Sequence, residues 1–240
     1  IGVNGDEYPT KMPMDSSAVS FSVEAQQLLN GIGCTLFATA EDELRPIMNG
    51  IFMDIFEDSV SFVASDTHKL VRFKNQGIAS GVRASFILPK KPANLLKAIL
   101  PKESGKVELA FDSKNACFKL SDFVLNCRLI EGNYPNYNSV IPTNNPNRLI
   151  IDRALFVNVS TENKDYSISA EEKVACNYTG DDLTIGFKAS FLIEILNNIS
   201  ATEVLVELSD PTRAGVILPL ENKENEDLLM LLMPMMLSDF

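Results

Sequence analysis

The feature that most restricts the fold is an internal repeat. At a spacing of 97 residues, Lys91 falls on Lys188, Leu95 on Leu192 and Ile99 on Leu196, and then Val107 on Val204, Leu109 on Val206 and Phe111 on Leu208. The first three sit at helical spacing and the last three alternate as a strand does, so helix and strand faces repeat together. A repeated strand, helix, three-strand unit predicts an α+β chain with helices on one side and antiparallel sheets on the other. Any α+β domain yields apolar coincidences at some offset, and pattern alone leaves that reading open.

The first unit is read in chain order. Val19 to Val23 predicts a strand, and Glu24 to Gly31 a helix with Leu28, Leu29 and Ile32 on one side, closed by Gly31 and Gly33. Two alternating runs, Ile51 to Ile55 and Val60 to Ala64, flank a short hairpin loop. Ser65, Asp66, Thr67 and His68 then form a tight corner, because Ser and Asp bond their own backbone, before a strand resumes at Lys69. After the loop KNQGIASGVR come a strand, Ala84 to Leu88, and a helix from about Lys90 to Leu100 with Pro89 and Pro92 at its tolerant start. Val107 to Phe111, Ala116 to Leu120 and Phe123 to Leu129 complete the unit as strands.

Composition excludes several functions. A length of 240 residues with 45% apolar content supports one or two ordinary cores, and a net charge of −11 argues against a general grip on nucleic acid or on an anionic membrane. Four cysteines without CxxC or zinc spacing read as buried thiols of a reducing compartment, and no metal or cofactor is expected. No basic start with an apolar core marks a signal peptide, and Leu228 to Leu237 is too short to span a bilayer, so a cytoplasmic location is expected. His68 is the only histidine. Catalysis would need a nucleophile and an orienting acid in reach, and only Asp66 stands near in sequence, so a hydrogen-bonded turn histidine is the simpler reading.

Two groups of residues could carry function. Lys90, Lys91, Lys97 and Lys102 lie on or beside one predicted helix, with Lys188 at the repeat position and Arg45 at a helix end or loop. Such a strip can hold phosphates without reading bases, though a solvated helix face explains it as well. The tail LLMLLMPMML is unbroken rather than alternating, so both faces of a strand there need cover. Its four methionines suit a surface that accepts varied partners.

RPIMNGIFMD, FVASDTHKLVRF, SFILPKKPANLL, CRLIEGNYPNYNSVIP and the ending LLMPMML occur in an order that resembles the bacterial DNA polymerase III β subunit, the sliding clamp, over about Asp6 to Leu237. The resemblance implies a DNA-clamp fold of repeated β-α-β-β-β units, and a non-catalytic processivity factor. It divides the chain into a linker at 1–17 from an absent first domain, a middle domain at 18–144 and a C-terminal domain at 145–240. About one helix and one hairpin of the last domain are expected to be missing near Val159 to Asn163. Asp165 to Ala170 already reads as a late strand.

The resemblance further implies a peptide cleft. Met48, Thr67, Leu70, Pro135 and Val140 would form an apolar pocket, with Ser65, His68, Lys69 and Ser139 beside it. Phe191, Lys188, Leu232, Met233, Pro234, Met235 and Met236 would form the adjoining groove. Arg45, Lys90, Lys91 and Lys97 would face encircled duplex DNA. The implied partners are the polymerase, the clamp loader and repair proteins, all docking through short linear motifs, and a second subunit that closes a homodimeric ring. The family usually has Gly at Thr67 and often Arg at Lys69, Ser139 and Met236, so the corner's shape and the polar contacts are expected to differ. Rival readings are an enzyme built on His68 and a β-rich scaffold that never encircles DNA.

Overall fold

The computed structural model describes residues 14–159 and 173–236. The first half opens with β1 (Val19–Glu24) and α1 (Ala25–Thr35), then a ladder of β2 (Gly50–Phe56), β3 (Ser59–Ser65), β4 (Lys69–Asn75) and β5 (Ala84–Pro89). α2 (Lys90–Ile99) follows, then β6 (Lys106–Phe111), β7 (Asn115–Lys119) and β8 (Val124–Arg128). The second half holds β9 (Asn147–Asp152), α3 (Arg153–Val159), β10 (Asn177–Thr179), α4 (Ala189–Asn197), β11 (Glu203–Leu208), β12 (Gly215–Pro219) and β13 (Glu226–Leu232). The late strand expected at Asp165 to Ala170 and the first 13 residues of the linker expected at 1–17 lie outside the described residues.

Two antiparallel sheets result, one of order β1-β6-β7-β8 and one of nine strands, β10-β9-β11-β12-β13-β4-β3-β2-β5. The larger sheet crosses from one half into the other where β13 pairs with β4, from Glu226 opposite Asn75 to Leu232 opposite Lys69. This explains the unbroken apolar tail. Leu228, Met230 and Leu232 face the helices in the main core, while Leu229 and Leu231 join a second cluster on the outer face with Val63, Leu70 and Tyr137. β3 is buried at every residue for the same reason.

Two expectations are corrected. α1 does not end at Gly31 or Gly33 but runs through both to Thr35. A Cβ on Gly31 would lie 2.5 Å from the Phe62 ring, so this glycine permits close packing of helix on sheet instead of closing the helix.

The repeat holds at a spacing of 97 only for the strands, since Val107, Leu109 and Phe111 and their counterparts Val204, Val206 and Leu208 are all buried. The helices align instead at 99, which puts buried Ala93, Leu96 and Leu100 on buried Leu192, Ile195 and Ile199. Leu95 is 45% exposed whereas Leu192 is buried, so that pairing fails. The cause is one extra residue in α2 and one in the connection after it, which carries a 3-10 turn at Leu100–Lys102, so the stretch from helix start to strand start is two residues longer than its counterpart from α4 to β11. Lys188 then corresponds to Pro89, each the N-cap of its helix, and not to Lys91.

The expectation of four buried thiols is corrected: Cys34, Cys117 and Cys127 are only partly buried, and Cys176 is not buried at all. Burial pushes the Cys34 and Cys127 thiols up to about 11, while Cys176 is exposed. Alkylation of the folded chain at pH 8 should therefore label Cys176 first, and Cys34 and Cys127 only after denaturant is added, since the thiolate is the nucleophile. Peptide mass mapping checks the order.

Candidate peptide-binding cleft

The corner between β3 and β4 is built by its own polar groups. Asp66 Oδ1 accepts the backbone N–H of His68 at 3.0 Å and of Lys69 at 2.9 Å, and Ser65 Oγ donates to the Lys69 carbonyl at 2.9 Å. Thr67 takes φ +78°, a left-handed conformation that a β-branched residue adopts only under constraint, so the corner keeps a shape better suited to glycine. Thr67→Gly should raise stability by about 0.5–1 kcal/mol, the relief of strain less the entropy of an added glycine. Urea unfolding monitored by circular dichroism measures it.

A second wall comes from residues 134–140. Tyr134 stacks on Phe52 with ring centroids 4.7 Å apart, and Tyr137 meets the same ring edge-on at 6.2 Å. The Tyr137 hydroxyl donates to Asp54 Oδ2 at 2.8 Å, and Arg83 pairs with the other carboxylate oxygen at 2.6 Å. Phe52 and Asp54 are two apart on β2 and so share its outer face, which fixes where this loop can sit. Burial, followed by the Asp54 contact, raises the Tyr137 phenol above its usual range. Tyr137→Phe should cost about 1–3 kcal/mol by leaving a buried carboxylate short of a donor. Thermal denaturation checks it.

Between the corner, this loop and the end of β13 lies a cavity of about 270 Å³. Of the expected residues, Met48, Ser65, Thr67, His68, Lys69, Leu70, Pro135, Val140 and Met233 line it. Tyr134, Asn136, Tyr137, Ala214 and Leu231 also line it and were not foreseen. The tyrosines fall inside the quoted motif, three residues apart on either side of Pro135 and Asn136, and that was the available signal. Ala214 carried none.

Leu232 is a correction: it is wholly buried in the main core, and strand alternation places Leu231 at the cleft instead. Ser139, expected beside the pocket, stands outside its lining, its hydroxyl donating to the Asn136 carbonyl at 2.7 Å.

The adjoining groove is set by backbone pairing. Met233 N–H donates to the His68 carbonyl at 2.8 Å, and Met235 N–H to the Gly186 carbonyl at 2.8 Å, with half-buried Pro234 between them. Met233 and Met235 are about half exposed, and Met236 almost fully. Phe191, on the first turn of α4, stacks with His68 at 5.4 Å and carries the ammonium of Lys188 4.4 Å from its ring centroid. His68 is thus a stacked turn residue. Among the described residues, no group of three His, Cys, Asp or Glu could hold a metal.

The basic residues are thinned by neighbours. Arg45 pairs with Asp42 at 2.8 Å and Lys90 with Glu41 at 2.6 Å, whereas Lys91 and Lys97 project from α2 exposed. Hydrogen bonding from Lys90 holds the Glu41 carboxyl below its ordinary range.

Two repeat-built halves thus share one sheet whose outer face carries an apolar cleft, an architecture of the sliding-clamp class. The chain belongs to the DNA polymerase III β subunit family, the sliding clamps: the family's central domain matches residues 22–136 and its C-terminal domain residues 157–236. The beta sliding clamp of Treponema pallidum is 28% identical over 253 residues, covering 93% of this chain and 67% of that protein. That of Synechococcus elongatus is 25% identical over 250 residues, 91% of this chain and 66% of that protein.

Among solved structures, the sliding clamp of Bartonella birtlesii bound to griselimycin superimposes with a TM-score of 0.88 at 27% identity, covering 97% of this chain and 70% of that one. The fold is therefore the α+β clamp fold. The chain spans about two thirds of the length of the curated relatives it matches.

Proposed function

We propose that this chain is the middle and C-terminal part of a replication processivity clamp, divided at 18–144 and 145–240, with a shortening near Val159 to Asn163. The complete protein encircles duplex DNA as a head-to-tail dimer and tethers the replicative polymerase, and the clamp loader and repair proteins dock at the same cleft in turn. It has no catalytic role of its own and works in the cytoplasm; no described helix is long and apolar enough to cross a membrane.

The observation that carries the reading is the cleft itself, in which Met48, Leu70, Pro135, Val140 and Met233 surround an apolar hollow beside an exposed groove. An extended peptide would place Leu and Phe side chains in the hollow while polar edges fix its direction. Lys91 and Lys97 face the DNA and give weak, salt-sensitive contact, which suits a ring held by topology that must still slide. Arg45 and Lys90, already ion-paired, contribute less.

The test is fluorescence anisotropy with a labelled peptide containing Gln, then Leu, then a terminal Leu-Phe pair. Saturable binding to the folded chain supports the reading, and no binding at high micromolar protein would move the scaffold that never encircles DNA to the front. Ring closure in this family joins the first domain of one subunit to the third of the other, so this chain alone should sediment as a monomer.

A further inference from the structure

Lys69 stands at the rim of the cleft, where a cation would be expected to meet a partner's carboxylate. Its surroundings occupy it otherwise. Only 5% of its side chain is exposed, and its ammonium lies 2.6 Å from Asp66 Oδ2 and 3.0 Å from Glu194 Oε2. Asp66 belongs to the corner of the first half, and Glu194 to α4 of the second. The same ammonium lies 4.6 Å from the centroid of the Phe191 ring, one turn earlier on α4.

These contacts close a circuit around the cleft mouth. The corner is tied through Lys69 to α4, and α4 follows directly on Gly186 to Lys188. Gly186 accepts from Met235, and Met233 donates back to His68 of the corner. The corner meets α4 only through side chains, Lys69 to Glu194 and the His68 ring on Phe191, while the other links are backbone pairing or chain continuity, so this junction is the one that can open.

We propose that Lys69, Asp66 and Glu194 form an inter-domain latch that sets the width of the peptide cleft. Lys69 is then a positioning residue, and Glu194, which lines no part of the cleft, governs affinity through it. This rests on the peptide-binding reading above. Opening the latch lowers the fraction of molecules with a competent cleft, and apparent affinity falls by that fraction. The loss appears in the association rate, because the bound complex keeps its contacts.

Stopped-flow anisotropy with the same labelled peptide tests this on Glu194→Ala, a half-buried helix position where alanine suits the helix. The expected result is affinity about fivefold weaker, carried by slower association with unchanged dissociation. The unfolding midpoint should barely move, since the β4 to β13 ladder still joins the halves.

If the unaltered chain binds and Glu194→Ala binds equally well, the latch is wrong while the cleft stands. A loss confined to faster dissociation would make Glu194 a partner contact and overturn the positioning role. Absence of binding by the unaltered chain removes the cleft reading, and the latch with it.

Discussion

Met233→Glu should abolish measurable peptide binding, with affinity at least about thirtyfold weaker, while leaving the fold intact. Met233 is 47% exposed, so a carboxylate there is solvated in the unbound chain and costs little. Its backbone N–H keeps the bond to the His68 carbonyl, which holds the end of β13 whatever the side chain. Peptide docking changes the balance, because it removes water from the rim and leaves a charge facing an apolar ligand. An uncompensated charge of that kind costs a few kcal/mol, and each 1.4 kcal/mol is a tenfold change in affinity. Titration by anisotropy, with the unfolding midpoint as control, decides it. An unchanged affinity would place the ligand elsewhere on the molecule.

The cleft was legible in the sequence to the extent that local chemistry builds it. Ser65 and Asp66 announce a corner because their side chains bond nearby backbone, and the run from Leu228 announces a strand covered on both faces. What covers those faces could not be read locally, since β4 and β13 are separated by some 150 residues and their pairing is a tertiary event. Without that register, a choice between Leu231 and Leu232 was a choice between two faces of one strand, and a shift of one residue reverses it. The repeat failed in the same manner. Strand positions kept their spacing, but a two-residue difference between helix start and strand start slid the helices, and a single offset could not hold both.

Gly31 shows how far a residue's role depends on what lies across from it. In sequence, a glycine near the end of a helical pattern reads as a terminator. In the fold it is a buried mid-helix position over which the Phe62 ring packs, and Phe62 in turn meets Phe73 edge-on at 6.1 Å. Helical propensity is spent here for contact with the sheet.

Phe62→Ala should therefore be among the most destabilising truncations of the first half, at about 3–5 kcal/mol, because it removes a fully buried ring and leaves a cavity. That is a large share of the 5–15 kcal/mol typical of a whole domain. Gly31→Ala alone should also destabilise, by about 1–2 kcal/mol: the added Cβ would sit 2.5 Å from the ring, and overpacking outweighs the roughly 1 kcal/mol gained in helix propensity. In the Phe62→Ala background the sign should reverse. With the ring gone, the methyl group enters the cavity and the propensity gain is no longer opposed, so the double variant should be more stable than Phe62→Ala by about 1 kcal/mol. Urea denaturation of the four proteins measures the cycle. Strict additivity would mean that Gly31 and Phe62 do not press on one another, and that the glycine sits in the helix for some other reason.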